Sequence, residues 1–154
     1  MPTLLLLEGR SIDDAWEPWR NAPEIEPSQS FTSSKRRVLV AEDDAVVRGM
    51  IARLLVEEGY DVVVARDGTE AVDHALEGQP FDLLITDIRM PRMDGWELSR
   101  RLRERWPALP ILYISGFDAE LTHVTDSTTT GAFLRKPFDL DELSSRVARL
   151  IDRA

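Results

Sequence analysis

An α/β fold with a doubly wound parallel sheet, five strands alternating with five helices in three layers, follows from three features of the sequence. Five short apolar runs, Val38-Leu39-Val40-Ala41, Val62-Val63-Val64-Ala65, Leu83-Leu84-Ile85-Thr86, Ile111-Leu112-Tyr113-Ile114 and Ala132-Phe133-Leu134, lack the polar alternation of a half-exposed strand. Such runs suit a parallel sheet covered on both faces. Between them apolar residues recur at helical spacing. Polar residues then close the runs, and the carboxyl ends of the strands are the edge where open α/β sheets bind ligands. The chain is therefore a (βα)5 repeat, and right-handed crossovers leave few topologies for it.

Residues 1–34 read differently from the rest. Pro2, Pro18, Pro23 and Pro27 interrupt any helix, residues 28–34 are mostly polar, and six acids against two bases give the segment a net charge of −4. It is expected to be a disordered N-terminal extension with at most one short helix around residues 11–16. Its apolar load, Leu4 to Leu7 with Trp16 and Trp19, also suits a docking segment. The domain proper is expected over residues 35–154.

In that domain the first strand ends at Glu42-Asp43-Asp44, and Val46, Val47, Met50, Ile51, Leu54 and Leu55 trace a helix up to Gly59 as C-cap. The second strand turns at Asp67-Gly68 into a helix whose inner face is Ala71, Val72, Ala75 and Leu76, ended by Gly78 and Pro80. The third stops at Asp87. Pro91 and Asp94-Gly95 force a turn there, and Asp94 caps the next helix with Glu97 three residues on. In that helix Leu98, Leu102 and Trp106 share a face, while Arg100, Arg101, Arg103 and Arg105 form a solvated one with a Glu97–Arg101 pair. Pro107 and Pro110 bracket a loop before the fourth strand, which stops at Ser115-Gly116. The fourth helical segment, from Asp118, is expected to be short or loose because Thr122, Thr125 and Thr128-Thr129-Thr130 are poor helix formers. Lys136-Pro137 follows the fifth strand, and Leu140, Leu143, Val147, Leu150 and Ile151 mark a last amphipathic helix with Asp139 near its start.

Composition removes whole classes of function. No apolar run approaches the roughly 18 residues of a membrane helix, and none suits the apolar region of a signal peptide. The absence of cysteine excludes disulfides, thiolate catalysis and cysteine-type zinc sites, and His74 and His123 are isolated. A net charge of −9 argues against direct binding to nucleic acid. A cytoplasmic protein is the expectation.

In the flavodoxin-like strand order 2-1-3-4-5 the chain reverses direction between strands one and three, and their carboxyl ends flank a crevice. Glu42 and Asp43 then face Asp87, and three clustered carboxylates raise each other's pKa unless a cation lies among them. Oxygen ligands without His or Cys point to Mg²⁺. The fourth strand brings the Ser115 hydroxyl to the same edge and the fifth brings the Lys136 ammonium, the donors that a transferred phosphoryl group needs. The edge is built for phosphoryl transfer with Asp87 as nucleophile.

The pieces VLVAEDD with Arg48 following, DLLITDIRMPRMDGWEL, ILYISG and AFLRKPF stand in one order over residues 37–154. Through them the chain resembles the receiver domain of bacterial two-component response regulators. The resemblance implies that Asp87 is the phospho-acceptor, and that Glu42, Asp43, Asp87 and the backbone carbonyl of Arg89 hold Mg²⁺. Ser115 would follow the phosphoryl group, Phe133 would be the switch aromatic, and Lys136 the counter-ion with a cis bond to Pro137. Gly116 matches the small residue that leaves the phosphoryl group room. Arg89 and Phe117 take the positions that tune phosphoryl lifetime. Glu42 departs from the commoner Asp, a longer arm expected to act through water. The implied donor is a histidine kinase or phosphotransfer protein. The implied output is a downstream protein met by the face of the fourth helical segment, fifth strand and fifth helical segment, or a phosphorylation-dependent dimer.

Two other readings compete. A magnesium phosphohydrolase with an Asp nucleophile would place an acid two residues after it, where this chain has Arg89. A degenerate receiver would bind partners without phosphorylation, although every acid, the hydroxyl and the lysine are present. A Rossmann nucleotide-binding protein is disfavoured because no Gly-x-Gly occurs. The last helical pattern closes near Ala154, so no DNA-binding output domain is expected in this polypeptide. A stand-alone receiver, or the receiver of a hybrid histidine kinase, is what remains, and neither is an enzyme beyond its own phosphotransfer and autodephosphorylation.

Overall fold

The computed structural model describes residues 35–116 and 131–152. Five parallel strands, β1 Arg37–Ala41, β2 Asp61–Ala65, β3 Leu83–Asp87, β4 Ile111–Ser115 and β5 Gly131–Arg135, form one sheet in the expected order β2-β1-β3-β4-β5. The helices among the described residues are α1 Ala45–Glu57, α2 Gly68–Glu77, α3 Gly95–Arg105 and α4 Leu140–Asp152. The extension over residues 1–34 and the fourth helical segment from Asp118 lie outside the described residues. Among the described residues no helix is long and apolar enough to cross a membrane.

Alternate side chains of each strand enter opposite layers, as the pleat requires. Leu39, Leu84, Ile111 and Tyr113 pack with Ala71 and Ala75 of α2 and Leu98 and Leu102 of α3. Val38, Val40, Leu83, Ile85, Leu112, Ile114 and Leu134 pack with Ile51 and Leu55 of α1 and Leu143, Val147 and Ile151 of α4. This is the three-layer arrangement, and it explains why β1, β3 and β4 read as continuous apolar runs.

Helix ends follow local chemistry. Asp94 accepts from Glu97 N at 2.8 Å at the start of α3, and Asp139 accepts from Glu142 N at 2.7 Å at the start of α4. The Glu97–Arg101 pair forms at 3.0 Å. Two expectations are corrected. The C-cap of α1 is Glu58, and Gly59 stands one residue beyond it with φ 96, the left-handed position that glycine fills best. Leu76 does not line the inner face of α2 but is 62% exposed, because the buried seam is the i,i+4 pair Ala71 and Ala75. Val46 and Met50 of α1 are likewise exposed, on the side away from Ile51 and Leu55.

That contrast sets a stability test. Leu84→Ala, which empties a fully buried site, should cost about 2–5 kcal/mol. Leu76→Ala should stay within about 0.5 kcal/mol. Urea denaturation of both variants checks the assignment of the two leucines.

Candidate functional site

Strand register assembles the site. Ala41 pairs with Thr86, which sets Glu42 level with Asp87, and Asp87 itself pairs with Ile114, one residue before Ser115. Ser115 in turn pairs with Arg135, so Lys136 emerges beside it. Four residues scattered over the sequence are thus delivered to one edge by consecutive parallel ladders.

Glu42 is 1% exposed, and its Oε1 accepts from Asp44 N at 3.1 Å. Its Oε2 lies 3.0 Å from Lys136 Nζ yet receives no well-directed hydrogen bond. Asp87, 8% exposed at the end of β3, accepts from Lys136 Nζ at 3.1 Å through Oδ2 and from Arg89 N at 3.3 Å through Oδ1. Asp43 is exposed, and carboxylate oxygens of Glu42, Asp43 and Asp87 all lie within 4.8 Å of one another. Ser115 is buried at the end of β4, and its carbonyl accepts from Lys136 N at 2.8 Å. The Lys136–Pro137 bond is cis. Arg89 carries an exposed side chain. Phe133 is half-buried, its ring 4.9 Å from that of Tyr113. A Cβ at Gly116 would meet nothing within 4 Å among the described residues, leaving open space beside Ser115. Phe117 lies outside the described residues.

The surrounding loops are fixed by their own backbone. Asp44 caps α1 by accepting from Val46 N at 2.8 Å and Val47 N at 3.2 Å, and Arg48 Nη1 donates to the Glu42 carbonyl at 2.9 Å. Gly95 N donates to the Ile88 carbonyl at 2.8 Å, and a Cβ on Gly95 would collide with the Asp87 carbonyl oxygen. Glycine therefore lets α3 start directly against the end of β3. Read as sequence, Asp94-Gly95 signals only a turn, because closeness of backbone to backbone leaves no pattern in the residues.

The electrostatics are unbalanced. Burial pushes the Glu42 carboxyl up to about 7, the charge of Asp87 adds to that, and the nearby Lys136 ammonium and the hydrogen bond from Asp44 N oppose it. Burial acts to lower the pKa of Lys136, but its close contact with Glu42 and its hydrogen bond to Asp87 outweigh burial and hold its pKa above the ordinary value. Two buried acids, one exposed acid and a single ammonium leave room for further positive charge. The orphaned Glu42 Oε2 and an all-oxygen donor set fit a hard divalent cation.

The model of the response regulator receiver domain matches residues 38–148. The chain belongs to this family. It is 41% identical over 119 residues to the response regulator MprA of Mycobacterium avium (strain 104), covering 76% of this chain and 51% of that protein, so it spans about half the length of that relative. The receiver domain of the hybrid histidine kinase CckA superposes with a TM-score of 0.64 at 37% identity, over 75% of this chain and 98% of that one. The response regulator TrrA of Thermotoga maritima, solved in complex with Mg(2+)-BeF, superposes with a TM-score of 0.67 at 29% identity, over 75% and 98%. This is a receiver domain, a signalling module of two-component systems.

The raised Glu42 pKa predicts a pH dependence. Because the folded value of about 7 exceeds the ordinary 4.5, the native state holds more protons than the unfolded chain between the two, and stability falls as pH rises through that window. Urea midpoints taken in EDTA from pH 4.5 to 8 should fall more for the wild type than for Glu42→Gln. Parallel curves for the two proteins would refute the protonated carboxyl.

Proposed function

We propose that Asp87 accepts a phosphoryl group from a histidine kinase or phosphotransfer protein, and that Mg²⁺ held by Glu42, Asp43, Asp87 and the Arg89 carbonyl is required. The observation that carries this reading is Lys136 Nζ placed 3.1 Å from Asp87 and 3.0 Å from Glu42, beside a converging third acid. An Asp87 carboxylate oxygen forms a bond to phosphorus as the bond from phosphorus to the donor imidazole breaks, and the imidazole leaves. Lys136 and the Ser115 hydroxyl meet the oxygens of the transferred group. Mg²⁺ held by Glu42, Asp43, Asp87 and the Arg89 carbonyl would supply positive charge to those oxygens, and TrrA, 29% identical, was solved in complex with Mg(2+)-BeF. Glu42, longer than Asp, would hold the ion through water. A phosphohydrolase is disfavoured because Arg89 stands where the general acid would be.

The donor has a shoulder to rest on. Val47, Met50, Pro137 and Phe138 line an apolar cavity of about 310 Å³ that Lys136 also borders. A helical phosphodonor laid on α1 there would present its histidine to Asp87. Phe133 is the switch, and Arg146 Nη1 of α4 donates to the Phe133 carbonyl at 2.8 Å, joining β5 to α4. Output then passes to a downstream protein, or to a second copy of the chain, through the face of the fourth helical segment, β5 and α4. The cytoplasm, where such kinases present their phosphohistidine, is the compartment, with no direct contact to nucleic acid.

Acetyl phosphate with Mg²⁺ should add one phosphoryl group to the wild type and none to Asp87→Asn by intact mass. Asp43→Asn should label at least tenfold more slowly. Labelling of Asp87→Asn, or full-rate labelling in EDTA, would sink the assignment.

Arg89 and Phe117 govern how long the group stays. Hydrolysis needs a water in line opposite the Asp87 oxygen, and an apolar Phe117 cannot orient it, while Arg89 adds positive charge over the phosphoryl oxygens. Self-dephosphorylation is therefore slow. Phe117→Gln should shorten the lifetime several-fold, about 1 kcal/mol in barrier, and equal decay rates in the two proteins would remove Phe117 from control of hydrolysis.

A further inference from the structure

We infer that Trp96 and Tyr113 form a preformed slot for the Phe133 ring, so that α3 as well as β5 registers the state of Asp87. This rests on the proposed role of Phe133 as the switch aromatic. Tyr113 and Phe133 are register partners in neighbouring parallel strands, so their side chains leave the same face of the sheet. Their rings stack with centroids 4.9 Å apart and planes 24° from parallel. Trp96, in the first turn of α3, lies against both, 4.6 Å from the Tyr113 ring and 5.8 Å from Phe133. All three distances fall in the range of favourable aromatic contacts.

The Tyr113 hydroxyl is tied through Ser99 to the α3 main chain at Trp96. The Tyr113 hydroxyl donates to Ser99 Oγ at 2.7 Å, and Ser99 Oγ donates to the Trp96 carbonyl at 2.8 Å. Tyr113 is 1% and Ser99 4% exposed, so breaking the relay would strand buried hydroxyls without water to replace their partners. The walls of the slot are thus stiff. The main chain of Phe133 is also held, by its ladder to β4 and by Arg146 on its carbonyl. Among the described residues, what is left to move is the Phe133 side chain, half-buried at the mouth of the slot. A ligand on Asp87 that favours the inward ring must then bind more tightly when the slot is intact, because the two equilibria are linked. The path is short: Asp87 abuts Gly95, Gly95 precedes Trp96, and Trp96 touches Phe133.

The test uses the full chain labelled with 5-fluorotryptophan, whose four tryptophans include Trp96, with Mg²⁺ and beryllofluoride as the phosphoryl probe. Trp96 is assigned by loss of its ¹⁹F resonance in Trp96→Phe. Addition of the probe should produce a bound-beryllofluoride signal absent in Asp87→Asn, and should shift the Trp96 resonance but not that of Trp106. Phe133→Leu should abolish the Trp96 response while saturating probe still binds. Trp96→Leu should weaken beryllofluoride binding at least threefold, and Trp96→Phe should restore it to within twofold. A role in stability alone would lower the melting temperature of Trp96→Leu with unchanged probe affinity, and that result overturns the slot. Bound probe with a still Trp96 resonance overturns it too, while leaving Asp87 as acceptor. No bound probe at all removes the reading of Asp87 and the slot with it.

Discussion

The feature on which the rest of this structure depends is a charge imbalance held out of water. Glu42 and Asp87 are buried at the ends of β1 and β3, and one ammonium, Lys136, spans them. Removing carboxylates from water is costly unless each finds a partner. A single Lys cannot satisfy two acids, and the poorly bonded Glu42 Oε2 is where the shortfall shows. A site left short of positive charge is one that a divalent cation and the donors around a phosphoryl group complete. Short of such a cation, burial and the charge of Asp87 push the Glu42 carboxyl up to about 7, which makes its ionisation at neutral pH costly.

Such an imbalance is stable only if the acids cannot drift apart or turn to solvent. Five parallel strands with both faces covered supply rigid rows, and the ladders fix the level of every edge residue. The loops are held as tightly. Asp44 and Asp94 cap the helices that follow the acidic strands, and Gly95 brings α3 against the Asp87 carbonyl. Gly68 does the same for α2, since a Cβ there would lie 2.8 Å from the Met93 carbonyl oxygen and Cβ. Any side chain at either glycine would have to move the loop that leads away from Asp87.

Much of this was legible in the residues. Apolar runs stopping at Asp87, Ser115 and Lys136 predict strands that end together, and the alternation with helical patterns predicts a (βα)5 parallel sheet, because both are local periodicities; the strand order rests on the flavodoxin-like topology. What pattern cannot supply is contact between helices and strands. Trp96 follows a helix cap and reads as an unremarkable helical residue, and Tyr113 reads as strand core. Their meeting with Phe133, and the Ser99 hydroxyl that joins them, arises from the crossing of α3 over β4. Leu76 fails for a related reason: its spacing is right, but its neighbours on the sheet side are two alanines that already fill the seam.

The two apolar layers also place the cavity beside Lys136 and the Phe133 ring on opposite faces of the sheet. Phe133 and Leu134 are adjacent in β5, yet Phe133 packs in the layer of α2 and α3 and Leu134 in the layer of α1 and α4. Val47 and Phe138, which line the cavity beside Lys136, belong to the second layer. On the proposed reading, a donor resting on α1 would approach from one side of the sheet, while the Phe133 ring lies on the other. The carboxyl edge, where Asp87, Ser115 and Lys136 stand at the ends of three neighbouring strands, is where both layers meet the site. On the proposed reading, a donor met beside α1 and the aromatic ring on the opposite face would therefore both act on the chemistry at that edge.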